Sequence, residues 1–130
     1  MVFHRLLSIA VAITAISLGG CNGDSGGSER AKLAAAEQAS RQLSPAAPAL
    51  AAIYNRSCRN CHTIAAIGAP LTGDHLSWAA RMAKGRDKLV DNVVNGFGSM
   101  PAYGMCADCD LEQIEALIDF MASPPDADEG

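Results

Sequence analysis

Two thiols and an imidazole stand together in Cys58-Arg59-Asn60-Cys61-His62. Thiols three positions apart share one face of a helical turn. Each can form a thioether to one vinyl group of a porphyrin, and the imidazole that follows can then point at an iron at the porphyrin centre. A bare pair of cysteines at this spacing serves zinc or dithiol redox chemistry equally well. The adjacent His62 turns the pattern into C-x-x-C-H, the arrangement for covalent haem attachment. One covalently bound haem c is therefore expected, with Cys58 and Cys61 as its attachment points and His62 as the proximal iron ligand.

The remaining cysteines are read through the compartment. Residues 1–18 place His4 and Arg5 ahead of an apolar run from Leu6 to Leu18, the layout of a secretory signal. The run is short for a membrane-spanning helix. Leu18-Gly19-Gly20-Cys21 resembles a bacterial lipobox, so residues 1–20 are expected to be cleaved and Cys21 to carry lipid. The alternative is an ordinary signal peptide with an incidental cysteine. Either way the chain is exported, and lipidation would hold it at the periplasmic side of a bacterial membrane. In that oxidising space a disulfide is the default for Cys106 and Cys109. All five cysteines then have a role. A net charge of −4 with no basic run argues against nucleic-acid binding.

An iron held by His62 has a second axial position to fill. Met82 and Met121 fall on apolar helical positions and read as core, and His75 falls at an exposed helix start. Met100 lies in Gly96-Phe97-Gly98-Ser99-Met100-Pro101, where glycines let the backbone approach a flat cofactor. Pro101 restricts Met100 to extended conformations. Met105 is the rival, but it abuts Cys106, whose bridge to Cys109 limits its reach. Met100 is the expected sixth ligand.

These residues need short helices to position them. Residues 46–61 carry Leu50, Ile53 and Tyr54 at helical spacing and end in the cysteine pair. Residues 74–84 have Asp74 as N-cap and Gly85 as stop. Residues 86–95 show Leu89, Val90, Val93 and Val94 on one face and end at Gly96. Residues 110–122 combine an Asp110 cap, a returning Gln113, and a stripe of Leu111, Ile114, Leu117, Ile118 and Met121. Pro124 and Pro125 end that helix. Nothing alternates with a period of two, so the fold class is all-α: short helices wrapped around one haem. Residues 45–123 form this domain. Residues 21–44, opening with Gly23, Ser25, Gly26, Gly27 and Ser28, read as a flexible linker, at most transiently helical beyond Glu29, with a coil reach of about 25–30 Å. Residues 124–130 read as an acidic disordered tail. Roughly 80 residues make a marginal core, so haem and disulfide must supply what packing lacks.

The order of motifs then carries a resemblance. Tyr54-Asn55, the haem motif, Gly68-Ala69-Pro70, Trp78-x-x-Arg81, Met100-Pro101 and Cys106-Ala107-Asp108-Cys109 resemble the small bacterial class I cytochromes c, and within them the cytochrome c-five subgroup. The resemblance covers residues 48–121. It implies that Cys58 and Cys61 hold the haem between His62 and Met100, and that the Pro70 carbonyl accepts the proximal imidazole N–H. It implies that Trp78 and Arg81 pack on or pair with buried haem propionates. Cys106 and Cys109 match the subgroup's disulfide. Ala102, Tyr103, Gly104 and Met105 depart from the subgroup, which has a second Pro, a Lys and paired Gly there; the missing Lys puts partner preference in question.

Three functions compete. A one-electron carrier follows from two filled axial positions, which leave no site for a substrate; no enzymatic activity is expected. Its partners are redox proteins docking weakly at the haem edge, and the chain is expected to be monomeric. Arg56 and Arg59 either form a positive rim there or are solvated surface charge. The alternative is a haem protein that binds a small ligand after Met100 dissociates, although no distal acid–base pair is visible. A zinc module built from Cys58, Cys61, Cys106 and Cys109 is the third; the long separation of its pairs and His62 count against it.

Overall fold

Caps and glycines divide the chain into helices much as local chemistry dictates. The structure, a computed structural model, describes residues 25–123. Helix α1 (Ser25–Ser40) comes first, then α2 (Pro48–Ile53), which continues through a π turn (Tyr54–Cys58) into α3 (Arg59–His62). A 3₁₀ turn (Ala65–Ile67), α4 (His75–Met82), α5 (Arg86–Asn95), a second 3₁₀ turn (Ala102–Met105) and α6 (Leu111–Ala122) follow. Among the described residues there is no strand, only an isolated bridge between Phe97 and Met100.

The ends of these helices match their local signals. The Asp110 carboxylate accepts the Gln113 backbone N–H at 2.8 Å, and the Gln113 side chain accepts the Asp110 N–H at 3.1 Å, a complete capping box. Asp74 caps α4 in the same sense. Beyond Met82 the chain turns at Gly85, whose φ of +93° is costly for any residue with a Cβ. Helix α5 occupies the span expected from its valines.

Helix α6 builds the core. Ile114, Leu117, Ile118 and Met121 are buried with Ile53, Tyr54, Trp78 and Leu89. Tyr54 meets Phe120 edge-on, ring centroids 5.1 Å apart. Leu111, expected on the buried stripe, is 55 % exposed. As the first residue of α6 it extends past the elements that cover the stripe.

Two features differ from expectation. The haem motif is reached through a π turn, in which the Arg59 N–H bonds the Tyr54 carbonyl. One added residue rotates the face of α3 against α2 by about 100°. Residues 25–40 are helical rather than a flexible tether. Pairs of Glu29 with Lys32 and Glu37 with Arg41 support α1 along its surface. Its C-terminal turn is also tied down: Ser40 is 1 % exposed and its hydroxyl donates to the His62 carbonyl. Sequence patterning missed this because the partners lie more than twenty residues away. The expected signal peptide, the expected lipid site at Cys21 and the expected acidic tail lie outside the described residues.

Candidate functional site

Cys58 closes the π turn, and Cys61 and His62 end α3. Both thiols are free, that of Cys58 half-buried and that of Cys61 exposed. Burial pushes the Cys58 thiol up to about 11, so it is neutral. His62 is 6 % exposed. Its Nδ1 lies 2.8 Å from the Pro70 carbonyl oxygen. A carbonyl only accepts, so Nδ1 carries the proton and Nε2 keeps its lone pair. Burial lowers the His62 pKa; the Pro70 bond opposes this, and the charge of Arg81 adds to it. The result is a neutral imidazole, the form that binds iron.

The wall beside His62 follows from the segment after α3. The His62 carbonyl accepts the Thr72 N–H at 2.8 Å and the Ser40 hydroxyl at 3.0 Å. The Tyr54 hydroxyl in turn donates to Thr72 Oγ1 at 3.0 Å. Trp78 stacks beside His62, centroids 5.9 Å apart and planes 26° from parallel. Its indole N–H donates to the Leu71 carbonyl at 2.8 Å. Trp78 therefore stands as a wall beside His62, with its indole N–H engaged by the Leu71 carbonyl. Arg81 is exposed, and its guanidinium bonds the Ser77 carbonyl of its own helix. Ser40 and Thr72 were missed by sequence reasoning, and no local pattern marks either.

Met100 is set by its loop. Phe97 and Met100 exchange backbone hydrogen bonds of 3.1 and 3.0 Å. Gly96 has φ +82°, and a Cβ there would fall 2.8 Å from the Met100 carbonyl oxygen. Gly104 is buried at φ +57°, and a Cβ there would lie 3.3 Å from the Met100 Cε. The methionine side chain thus rests where a glycine leaves room. The rival Met105 is 75 % exposed. Met82 and Met121 are packed in or against the core and His75 is exposed, as their positions predict. The turn at Ala102–Met105 packs against the π turn, bringing the methionine loop to the cysteine motif.

Cys106 and Cys109 are joined as a disulfide with Cα atoms 5.4 Å apart, which removes them from any shared zinc set with Cys58 and Cys61. Arg56 reaches the same loop, donating to Asp108 at 2.8 Å. Arg59 bonds Asn55 at 3.3 Å and the Arg41 carbonyl. Both arginines tie segments together, Arg56 through an ion pair with Asp108 and Arg59 through neutral acceptors.

This donor set fits a covalent haem. It offers two free thiols, a buried neutral imidazole with Nε2 unsubstituted, and a thioether held between glycines. Leu50, Val90, Val93, Val94 and Tyr103 are only partly buried and pack against the core.

Known proteins resemble the chain in this region. The family model described as cytochrome C oxidase, cbb3-type, subunit III matches residues 45–121. Cytochrome c-555 of Chlorobaculum tepidum is 37 % identical over 74 residues, which cover 54 % of this chain and 68 % of that protein. Cytochrome c5 of Azotobacter vinelandii is 37 % identical over 72 residues, covering 54 % and 87 %. Among solved structures, a chain from the electron-transfer complex of nitrite reductase with cytochrome c is similar at a TM-score of 0.52 and 34 % identity. That match covers 58 % of this chain and 93 % of the other.

Proposed function

We infer the role of each residue from one premise: the chain belongs to the small class I cytochromes c and carries one covalent haem c as a one-electron carrier. Haem c, when bound, supplies an iron that gains and loses a single electron. Cys58 and Cys61 hold its ring, His62 is the proximal ligand and Met100 the sixth. The observation that carries this reading is the His62–Pro70 hydrogen bond, which presents Nε2 of a buried neutral imidazole. Pro70 fixes the plane of the ring and raises its basicity. The Met100 thioether, as a ligand, would favour the reduced state and a high potential. Filling both axial positions leaves none for a substrate, which supports a carrier over an enzyme.

The partners are redox proteins that dock weakly on an apolar surface. Phe97 and Met105 flank the Met100 loop and are both largely exposed. Such a patch favours brief contact and fast release. The chain acts as a monomer on the periplasmic side of a bacterial membrane, held by lipid on Cys21. That placement rests on the signal-like residues 1–18 and the lipobox-like residues 18–21.

The test is a visible spectrum of the full chain expressed with haem-attachment machinery. Haem that resists acid–acetone extraction, with low-spin reduced bands, is expected. Met100→Ala should abolish the methionine–iron charge-transfer band while Met105→Ala keeps it. The reverse pattern would transfer the sixth position to Met105.

A further inference from the structure

The last turn of α1 and the residue after it make three contacts with the segment that carries Cys61 and His62. The Glu37 carboxylate accepts the Ala65 N–H at 3.0 Å. The Ser40 hydroxyl donates to the His62 carbonyl at 3.0 Å. The Arg41 carbonyl accepts from the Arg59 guanidinium. Helix α1 lies wholly outside residues 45–121, the span shared with the family. These contacts are therefore an addition to the family domain, and they converge on the proximal side.

We propose that the end of α1 is a proximal brace in which Ser40 is a positioning residue, holding His62 through its carbonyl oxygen. The proposal rests on His62 being the proximal ligand. His62 ends α3, so its carbonyl has no partner within the helix. Thr72 and Ser40 occupy the two acceptor sites of that oxygen, fixing the backbone from opposite segments. The ring of the same residue is held at Nδ1 by Pro70. Backbone and ring are thus anchored separately, and the imidazole can rock only if one anchor gives. Ser40, Thr72 and Tyr54 are each at most 2 % exposed, so water does not replace a lost hydroxyl. Thr72 and Tyr54 belong to the family span, and Ser40 supplies the anchor from outside it.

The readout is hydrogen exchange of the His62 Nδ1–H, followed by NMR in the oxidised, haem-loaded full chain. The core amide of Ile118 serves as an internal reference. Ser40→Ala should speed exchange at His62 about fivefold relative to Ile118, the effect of removing one buried hydrogen bond. Ser40→Thr, which keeps a hydroxyl, should restore slow exchange. Equal acceleration at both sites, or none, overturns the brace, because a merely structural contact acts on the whole fold. If Ser40→Ala does not fold, Glu37→Ala decides: its side chain is part-exposed, and it should speed exchange at His62 selectively. Unchanged exchange in that variant overturns the proposal. Absence of a hyperfine-shifted His62 ring in the unsubstituted protein would remove the ligand assignment and the brace together. A shifted ring that is indifferent to Ser40 removes the brace alone.

Discussion

The Arg56 guanidinium reaches Asp108 at 2.8 Å, joining the turn that carries Cys58 to the loop closed by Cys106 and Cys109. The two residues lie fifty-two positions apart. The segment of Cys58, Cys61 and His62 and the loop after Met100 are therefore joined by a surface ion pair as well as by packing.

That ion pair has a pH signature. Arg56 holds the Asp108 carboxyl below its ordinary range through their hydrogen bond. The Ala65 N–H, with Arg41, does the same for Glu37. A depressed folded pKa contributes stability above the ordinary carboxylate value, and that contribution is lost as pH falls through the folded value. The melting temperature should therefore drop on acidification below about pH 4, the ordinary carboxylate range. Asp108→Asn and Glu37→Gln should each flatten that drop. Unchanged curves would show that neither carboxylate is coupled to folding.

Gly104→Ala should act on Met100. The substitution meets a positive φ and a contact of 3.3 Å with the Met100 Cε. The backbone cost is about 1–2 kcal/mol. The methionine must also shift, so the charge-transfer band should weaken along with the melting temperature. A fall in stability with an intact band would mean that the loop absorbs the methyl without moving the ligand.

Trp78→Phe separates packing from hydrogen bonding. It keeps an aromatic face beside His62 but leaves the buried Leu71 carbonyl without its indole donor, at a cost of about 1–3 kcal/mol. Urea unfolding should show that loss while the reduction potential stays close to the unsubstituted value. A large change in potential with little change in stability would instead assign Trp78 to the propionates.

The protein should need its haem to fold. Cys58→Ala with Cys61→Ala leaves no covalent attachment, and a single domain of this size is marginal without one. Circular dichroism of that double variant should show reduced helix and no cooperative melt. A sharp transition would mean that the α6 core is sufficient by itself.

Much of this was legible locally. The capping box at Asp110 and Gln113, the Asp74 cap and the glycine after α5 are signals read within four residues, and the helices follow them. The haem motif was legible because covalent chemistry needs its spacing. Leu111 was misjudged because periodicity assigns a face but not how far its cover extends. Helix α1 was read as a tether because it lacks a broad apolar stripe. Its docking depends on the Ala65 N–H donating to Glu37 and the Ser40 hydroxyl donating to the His62 carbonyl.

The sequence by itself singled out the atoms proposed for the chemistry: the thiols of Cys58 and Cys61, the imidazole of His62 and a methionine loop between glycines. Spacing along a chain is a covalent fact, so these needed no fold to be recognised. Only the tertiary structure decided how they are held. The π turn, the pairing of Arg56 with Asp108, the commitment of Trp78 to Leu71 and the seat of Ser40 on His62 depend on long-range burial. There a polar group must find a partner wherever the packed chain happens to bring one.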